Sequence, residues 1–369
     1  MKKIEFKSML VSIILVLLIY YFYTPALNIH AIEFWIFIIV ALCIYGASTS
    51  YSTLLGKRFK PEKVGYLGAA VALIVAGVLV TDLFTSKIFH ASRYASRIEV
   101  ENVKFNNKTL HEVDFSKTPI IDRKSTVKLG DKVMGEIPEY VSQFEVSDDY
   151  TQISYKNSVY RVTPLEYASF FKYLTNSKNG IPAYITVNST NGKAEIVKLK
   201  DLGLDGMKYV PSAILNHNLN RKLQLSYPTS IFGSPSFEVD EKGHPWYVCT
   251  TYTYFGVGNK KKVTGAVLFD PITGKSKKYD KDKVPKWVDR VYPEELIMTE
   301  IDENGSLQDG FFNSVLGQKN VTVTSEGYNY LEKDGDIWIY SGITSANKDS
   351  SNLGFVLSNL RTHQTLRFS

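Results

Sequence analysis

The chain has 369 residues, and its 43 Lys and Arg against 37 Asp and Glu give a formal net charge of +6. Seven of the basic and three of the acidic residues lie within residues 1–81, so residues 82–369 carry a net charge of only +2. The excess positive charge lies beside apolar segments, where it sets membrane orientation. The composition therefore argues against a nucleic-acid partner.

Three apolar segments precede the polar bulk of the chain, at about 9–23, 33–49 and 66–83. Each approaches the roughly 20 residues that an α-helix needs to cross a bilayer. The sequence therefore predicts that residues 1–83 form a membrane anchor of three transmembrane helices. A cleaved signal peptide is the alternative for the first segment, since small residues follow it at 26–31, but two more apolar segments come after it.

Basic residues predict the orientation of this anchor. Lys2, Lys3 and Lys7 precede the first segment, and four more, Lys57, Arg58, Lys60 and Lys63, separate the second from the third. Positive charge favours the cytoplasmic side. We therefore expect a multi-pass protein of the cell membrane, with a cytoplasmic N-terminus and with residues 84–369 extracellular.

Two cysteines, Cys43 and Cys249, lie in an apolar segment and in a predicted strand, and no disulfide is expected between them. A large outer domain without disulfides is more typical of a Gram-positive bacterium than of a eukaryotic secretory protein.

The region after the anchor has mixed α+β character. For a first module, 84–205, the patterns predict strands at 98–105, 126–129 and 152–162, a helix at 163–174 that begins at Thr163-Pro164-Leu165-Glu166, and a hairpin formed by 183–187 and 193–199.

Two further modules are expected at 206–290 and 291–369, and whether the last of them is complete stays open. The second begins with a helix that includes Leu215 and Leu219, followed by strands at 237–240, 246–254, 263–270 and 276–279. A helix at 285–296, interrupted or restarted at Pro293, is expected across the boundary between these two modules. The third module is expected to hold a helix at 307–316, followed by strands at 321–324, 328–331, 337–342 and 353–357.

An internal repeat links these modules. Aligning Gly243 with Gly335 places Trp246 over Trp338, and Thr273 then matches Thr362 with a hairpin loop three residues shorter. A shorter copy matches Gly192-Lys193 to Gly274-Lys275. The recurring unit is a helix, an antiparallel hairpin and a turn.

The hairpin that ends in LFDPITGKSKKYD resembles the end of a PepSY-type module, in which a helix packs on an antiparallel sheet. The turn in this chain is Asp270-Pro271-Ile272-Thr273-Gly274-Lys275. The whole layout, with KYVPSA, GHPWYV and VPKWVDRVYP, is similar to multi-span membrane proteins of Gram-positive bacteria that have no assigned activity. The resemblance implies peptidase restraint or sensing outside the membrane.

The pattern of polar residues predicts no catalytic constellation, cofactor or metal site. The six His are dispersed, with no pair at the spacing of a helical zinc site. His244, near two carboxylates and two aromatic residues, is the best titrating candidate. The predicted binding residues are His244, Trp246, Tyr247, Tyr252, Tyr254, Lys260 and Lys261, with the last two at a hairpin tip.

Three functions stay open on these residues. The first is a non-catalytic extracellular protein that binds a partner protein, a peptide or a cell-wall polymer, or regulates one. The second is an envelope enzyme or a transporter accessory subunit with a site near His244. The third is a structural stalk.

Overall fold

The computed structural model describes residues 2–54, 61–104, 118–346 and 352–368, which form two compact units. The anchor unit holds Met1–Phe89, Leu223–Ile231 and Thr253–Lys262, and the sheet unit holds His90–Lys222, Phe232–Tyr252 and Val263–Ser369. The predicted α+β class is confirmed at this level, with apolar helices first and antiparallel sheets after them.

Three long helices dominate the anchor unit: α1 (Lys2–Tyr23), α2 (Ile32–Leu54) and α3 (Pro61–Phe84). Two stretches are long and apolar enough to cross a membrane, Ile32–Ser50 and Val64–Phe84. The apolar stretch of α1 is shorter, Met9–Tyr23, so a third span stays a prediction. The basic loop residues at 57, 58 and 60 lie outside the described residues.

Two later segments of the chain complete the anchor unit. One of them is the tip of a long hairpin, where the Gly258 N–H donates to the His30 carbonyl between α1 and α2 (3.0 Å). The Asn259 side-chain amide donates to the Asp82 carboxylate at the end of α3 (2.8 Å). The α1–α2 loop and the end of α3 therefore contact the same hairpin tip.

The sheet unit contains three mainly antiparallel sheets. The strands run in chain order as β1 (Val100–Val103), β2 (Phe144–Val146), β3 (Thr151–Tyr155), β4 (Ser158–Tyr167), β5 (Ala183–Asn188), β6 (Ala194–Lys198), β7 (Ile231–Phe232), β8 (Ser236–Val239), β9 (Pro245–Phe255), β10 (Asn259–Phe269), β11 (Ser276–Asp280), β12 (Thr322–Thr324), β13 (Asn329–Lys333), β14 (Asp336–Ser345), β15 (Asn352–Asn359) and β16 (Thr365–Phe368).

Each sheet has a central long strand. The first sheet has the order β2-β4-β5-β6, and β3 also pairs with β4. The second has the order β11-β10-β9-β7, and β8 also pairs with β9. The third has the order β1-β16-β15-β14-β12, with β13 also on β14. Strand β1 pairs in parallel with β16, although the expected boundaries place it in the first module. The start of the sheet unit therefore completes its last sheet.

Shorter helices connect these strands. They are α4 (Lys87–Ala95), α5 (Arg123–Gly135), α6 (Pro138–Val141), α7 (Phe170–Asn176), α8 (Leu219–Ser226), α9 (Glu294–Leu307) and a π-helical turn at Asn313–Gly317.

The helix predicted at 163–174 is wrong over its first half. Thr163 and Pro164 continue β4, where they pair with Ile185 and Tyr184. The Thr163 hydroxyl donates to the Ser147 carbonyl instead of capping a helix. Pairing with buried β5 outweighs the local capping signal, and α7 begins only after Ser169, whose hydroxyl accepts the N–H of Lys172.

Three other local predictions are wrong. Residues 126–129 lie in α5, because Asp122 caps that helix by accepting the Ser125 N–H (2.6 Å). Residues 285–293 are not α-helical, and α9 begins at Glu294. Lys260 and Lys261 lie at the start of β10, after a tip formed by residues 256–258.

The same type of turn joins the two strands of one hairpin in each sheet, β5 to β6, β10 to β11 and β15 to β16. It begins with an Asx side-chain oxygen that accepts the backbone N–H groups two and three residues later, and its fifth residue has a positive φ. The first residues are Asn188, Asp270 and Asn359, and the fifth residues are Gly192 (φ 74°), Gly274 (72°) and His363 (68°). The turn motif seen in the sequence therefore has the same conformation in all three sheets. His363 adopts the backbone conformation that glycine has in the other two turns.

Residues 284–293, here called the joining segment, connect the three sheets. Glu238 of β8 accepts the N–H groups of Asp289 (2.8 Å) and Arg290 (3.1 Å). The Asp289 carboxylate accepts the N–H of Ser154 in β3 (2.8 Å). The N–H of Val291 donates to the carbonyl of Leu360 after β15 (3.0 Å). One irregular segment therefore hydrogen-bonds to all three sheets.

Two buried carboxyl groups lie at the centre of this junction. Burial raises the pKa of Glu238 from its ordinary 4.5 to about 7, although the Asp289 and Arg290 N–H groups and the Arg290 charge oppose the rise. Burial and the nearby Glu238 raise the pKa of Asp289 well above its usual range. The folded state therefore binds protons here more tightly than the unfolded chain does.

The Glu238→Gln variant tests this junction. Because the folded pKa is raised, the contribution of Glu238 to stability is full below pH 4.5 and is lost as pH rises through about 7. We expect the thermal midpoint of the variant to fall less between pH 5 and pH 8 than that of the unmodified protein. Glutamine at the exposed position Glu241 is the control, and equal slopes in Glu238→Gln and the unmodified protein contradict the prediction.

Candidate functional site

A tight turn before β9 positions His244. The Asp240 carboxylate accepts the N–H groups of Lys242 (2.9 Å) and His244 (3.0 Å). Gly243 has a φ of 81°, and its carbonyl accepts the Tyr184 hydroxyl (2.9 Å). A Cβ at Gly243 would lie 3.1 Å from that hydroxyl oxygen, so glycine suits this position on both counts.

Three half-buried rings adjoin this turn. The centroids of His244 and Trp246 are 5.1 Å apart, and those of Trp246 and Trp287 are 5.9 Å apart at an angle of 40°. The Trp246 indole N–H donates to the Asp240 carboxylate (3.2 Å). We call His244, Trp246, Trp287, Asp240 and Asp270 the aromatic–acid face.

Asp270 brings a second carboxylate to His244. Its Oδ1 lies 3.4 Å from His244 Nε2, and its Oδ2 accepts the Thr273 hydroxyl (2.7 Å). Burial alone would raise the pKa of Asp270. His244, Thr273 and the N–H of Ile272 together lower it by more than burial raises it, so the pKa is below its usual range. The His244 contact is too poorly aligned for a hydrogen bond, and its geometry is that of an ion-pair contact.

The aromatic–acid face is specific to the second sheet. The matching turns begin with Asn188 and Asn359, which form the same backbone bonds without a charge. The matching tryptophan, Trp338, is only 3% exposed and packs in the core of the third sheet. The negative charge and the accessible ring thus belong to residues that do not recur.

The other predicted binding residues are not part of this face. Tyr247 and Tyr252 are 2% and 5% exposed, so they pack in the core and present no outward ring. Tyr254, Lys260 and Lys261 belong to the anchor unit. Burial and the Glu33 carboxylate of α2 raise the pKa of Tyr254, which places this tyrosine beside an anchor helix.

Trp287 is not among the predicted binding residues, because the sequence predicts a helix at 285–296 that contains it. Pro285 precedes it by two residues, and proline is tolerated in an extended segment as well as in the first helical turn. This ambiguity is the sequence signal for a loop at this position, in which Trp287 is half-exposed.

A second polar cluster in the sheet unit surrounds Glu300. Glu300 lies between Arg97 (3.8 Å) and His363 (2.7 Å), and the His363 ring stacks on Tyr292 at 4.2 Å. Among the described residues, no group of three or more His, Cys, Asp or Glu side chains is placed to hold a metal ion. Both cysteines are free thiols.

Comparisons with protein-family models, with characterised proteins and with solved structures find no match to this chain. The resemblance to PepSY-type modules therefore stays a prediction from the residues quoted above.

Two substitutions at Asp270 distinguish the contribution of its charge to stability from the contribution of the turn. Asp270→Ala removes the acceptor for two N–H groups and one hydroxyl, so we expect it to cost about 1–2 kcal/mol of unfolding free energy. Asp270→Asn should cost under about 0.5 kcal/mol, because asparagine forms the same turn at positions 188 and 359. Denaturant titration measures both, with exposed Asp280→Ala as the control, and equal losses in the two Asp270 variants contradict the interpretation.

Proposed function

We propose that this chain is a membrane protein with three spans, whose residues 84–369 lie outside the cell and bind a cell-wall polymer through the aromatic–acid face. The observation that carries the binding role is the half-exposed pair of Trp246 and Trp287, bordered by Asp240 and Asp270.

The topology is supported by the hairpin tip. His30, in the loop after α1, and Asp82, near the end of α3, both bond to residues of the tip, Gly258 and Asn259. These contacts support a topology in which the loop and the end of α3 lie on one side of the membrane. With 22 residues at 1.5 Å each, α1 is about 33 Å long, and its apolar stretch Met9–Tyr23 covers about 22 Å of that length. In a third span, the lysines before this stretch would reach the headgroup level. The basic N-terminus then lies on the cytoplasmic side.

The ligand class follows from the chemistry of the face. Flat indole rings offer a large, rigid surface to the apolar face of a sugar ring, and carboxylates accept hydrogen bonds from its hydroxyls. Two exposed lysines lie close to these tryptophans in sequence, Lys242 four residues before Trp246 and Lys286 directly before Trp287. Such a face suits an extended polymer better than a small molecule, which is commonly enclosed on several sides.

Binding is favoured over catalysis by the surroundings of His244. A histidine beside a carboxylate is part of many hydrolytic sites, but those sites also need a nucleophile on the ring. Among the described residues, no Ser, Thr, Cys or Lys side chain is hydrogen-bonded to the His244 ring, whose Nε2 faces Asp270. An envelope enzyme or accessory subunit is the second candidate, and it rests on this His–Asp contact alone.

A PepSY-like architecture remains part of the proposal. It is supported by α5, which packs on β5 and β6 of the first sheet, and by α9, which packs on β12 of the third. The common Asx turn supports it as well.

Removing either exposed tryptophan tests the binding role. We expect Trp246→Ala and Trp287→Ala each to weaken binding of the full chain to purified cell-wall material by about tenfold or more, since a buried aromatic contact contributes upwards of 1 kcal/mol. Co-sedimentation measures the binding, and circular dichroism checks the fold. The matched control is Phe171→Ala on α7, where Phe171 is 74% exposed.

Unchanged binding in both folded tryptophan variants, or equal loss in Phe171→Ala, contradicts the proposal. Binding that soluble wall peptides abolish and wall glycan does not would replace the polymer with a peptide ligand.

Cysteine labelling in intact cells tests the topology. In a chain with Cys43 and Cys249 replaced by alanine, a membrane-impermeant maleimide should label Lys242→Cys from outside and reach Arg58→Cys only after lysis, because position 58 lies in the basic cytoplasmic loop. The reverse pattern refutes the orientation.

A further inference from the structure

The lysine run (Lys260, Lys261 and Lys262) follows the hairpin tip in the anchor unit. The residue before it is held by three contacts, since the Asn259 side-chain amide lies 2.8 Å from Asp82 Oδ1, 2.9 Å from the Asp82 carbonyl and 3.0 Å from Thr85 Oγ1. This amide therefore fixes the start of the run against the end of α3.

These contacts set the depth of the lysine run. The apolar stretch of α3 ends at Phe84, so Asp82 and Thr85 mark the level where hydrocarbon gives way to lipid headgroups. Consecutive Cα atoms are about 3.8 Å apart, so all three lysine Cα atoms lie within about 11 Å of the Asn259 Cα along the chain. Lys262 is exposed, and Lys260 and Lys261 are half-buried. The long lysine side chain is able to reach the headgroup phosphates from this depth.

The far side of the tip is fixed as well. His30 Nδ1 lies 2.7 Å from the Gly256 carbonyl oxygen, and a Cβ added at Gly256 would lie 2.2 Å from Thr85 Oγ1. Gly256 also has a φ of 75°, so any side chain there is excluded both by space and by backbone conformation. The tip cannot move away from the helix ends without breaking these contacts.

Neighbouring side chains in the anchor unit have the character of a membrane interface. Ile29, Phe84 and Phe89 are 59%, 58% and 56% exposed, and the two phenylalanine rings stack at 5.6 Å. Aromatic and apolar side chains beside basic ones are typical of the headgroup level. The nearby acidic groups are Asp82, whose carboxylate accepts the Asn259 amide, and Glu33 in the first turn of α2.

We propose that the lysine run binds the phosphates of anionic lipid headgroups in the outer leaflet. The inference rests on the outward topology of the proposed function. Each lysine near an anionic surface adds attraction that falls off over a Debye length of about 8 Å at physiological salt. A phosphate-containing wall polymer has the same chemistry, but the contacts of Asn259 hold the run at the level of the lipid.

The test uses the full chain in nanodiscs that contain equal amounts of phosphatidylglycerol and phosphatidylcholine. Native mass spectrometry gives the ratio of the two lipids that stay bound. We expect the triple variant K260Q/K261Q/K262Q to lower the ratio of phosphatidylglycerol to phosphatidylcholine by about fivefold or more. The matched control K277Q/K278Q/K281Q removes three exposed lysines at and after β11 and should leave the ratio unchanged.

Equal thermal midpoints in pure phosphatidylcholine nanodiscs show that the variants are folded. An unchanged ratio in the folded triple variant, or an equal loss in the control, overturns the inference. So does lysine-dependent binding of poly(glycerol phosphate) to the protein in phosphatidylcholine nanodiscs when the lipid ratio does not change. Labelling of Lys242→Cys from outside tests the topology separately, so an unchanged ratio with that labelling intact refutes the lipid site alone.

Discussion

The sheet unit depends on two carboxylates that are buried where three sheets meet. Glu238 is fully buried and Asp289 is 2% exposed, and both use their oxygens to hold backbone N–H groups that no regular ladder satisfies. A buried N–H without a partner costs about 1–3 kcal/mol, so the irregular joining segment is stable only with these acceptors. The raised pKa values follow from the same burial.

This constraint also explains which local predictions failed. Strands β9, β10 and β14 were predictable because they are rich in β-branched and aromatic residues. Most of β9 and the second half of β10 are buried on both faces. Thr163-Pro164 has a strong helix-start signal, yet both residues pair with β5, about 20 residues later in the chain. Likewise, 285–293 has the composition of a helix, but Glu238 of β8 accepts the N–H groups of Asp289 and Arg290 and so stabilises a non-helical conformation.

The aromatic–acid face was only partly predictable. His244 and Trp246 stand out by residue type and by closeness in sequence, and Asp270 belongs to a recognisable turn. Their meeting with Trp287 depends on the path of the joining segment, which the sequence pattern does not reveal. Conversely, Tyr247 and Tyr252 lie on opposite faces of β9, and both are buried because the middle of this strand is covered on its two faces.

The repeated turn distinguishes residues that build the fold from residues that build the candidate site. Asn188, Asp270 and Asn359 form the same turn, and among them only Asp270 carries a charge, which lies beside His244. Hydrogen exchange of the full chain in nanodiscs, with and without a soluble cell-wall glycan, tests this distinction most directly. Protection should rise at 240–246, 270–275 and 285–289 and stay unchanged at 188–193 and 359–364. Equal protection at all three turns, or at none of them, would contradict a binding site built from the residues that do not recur.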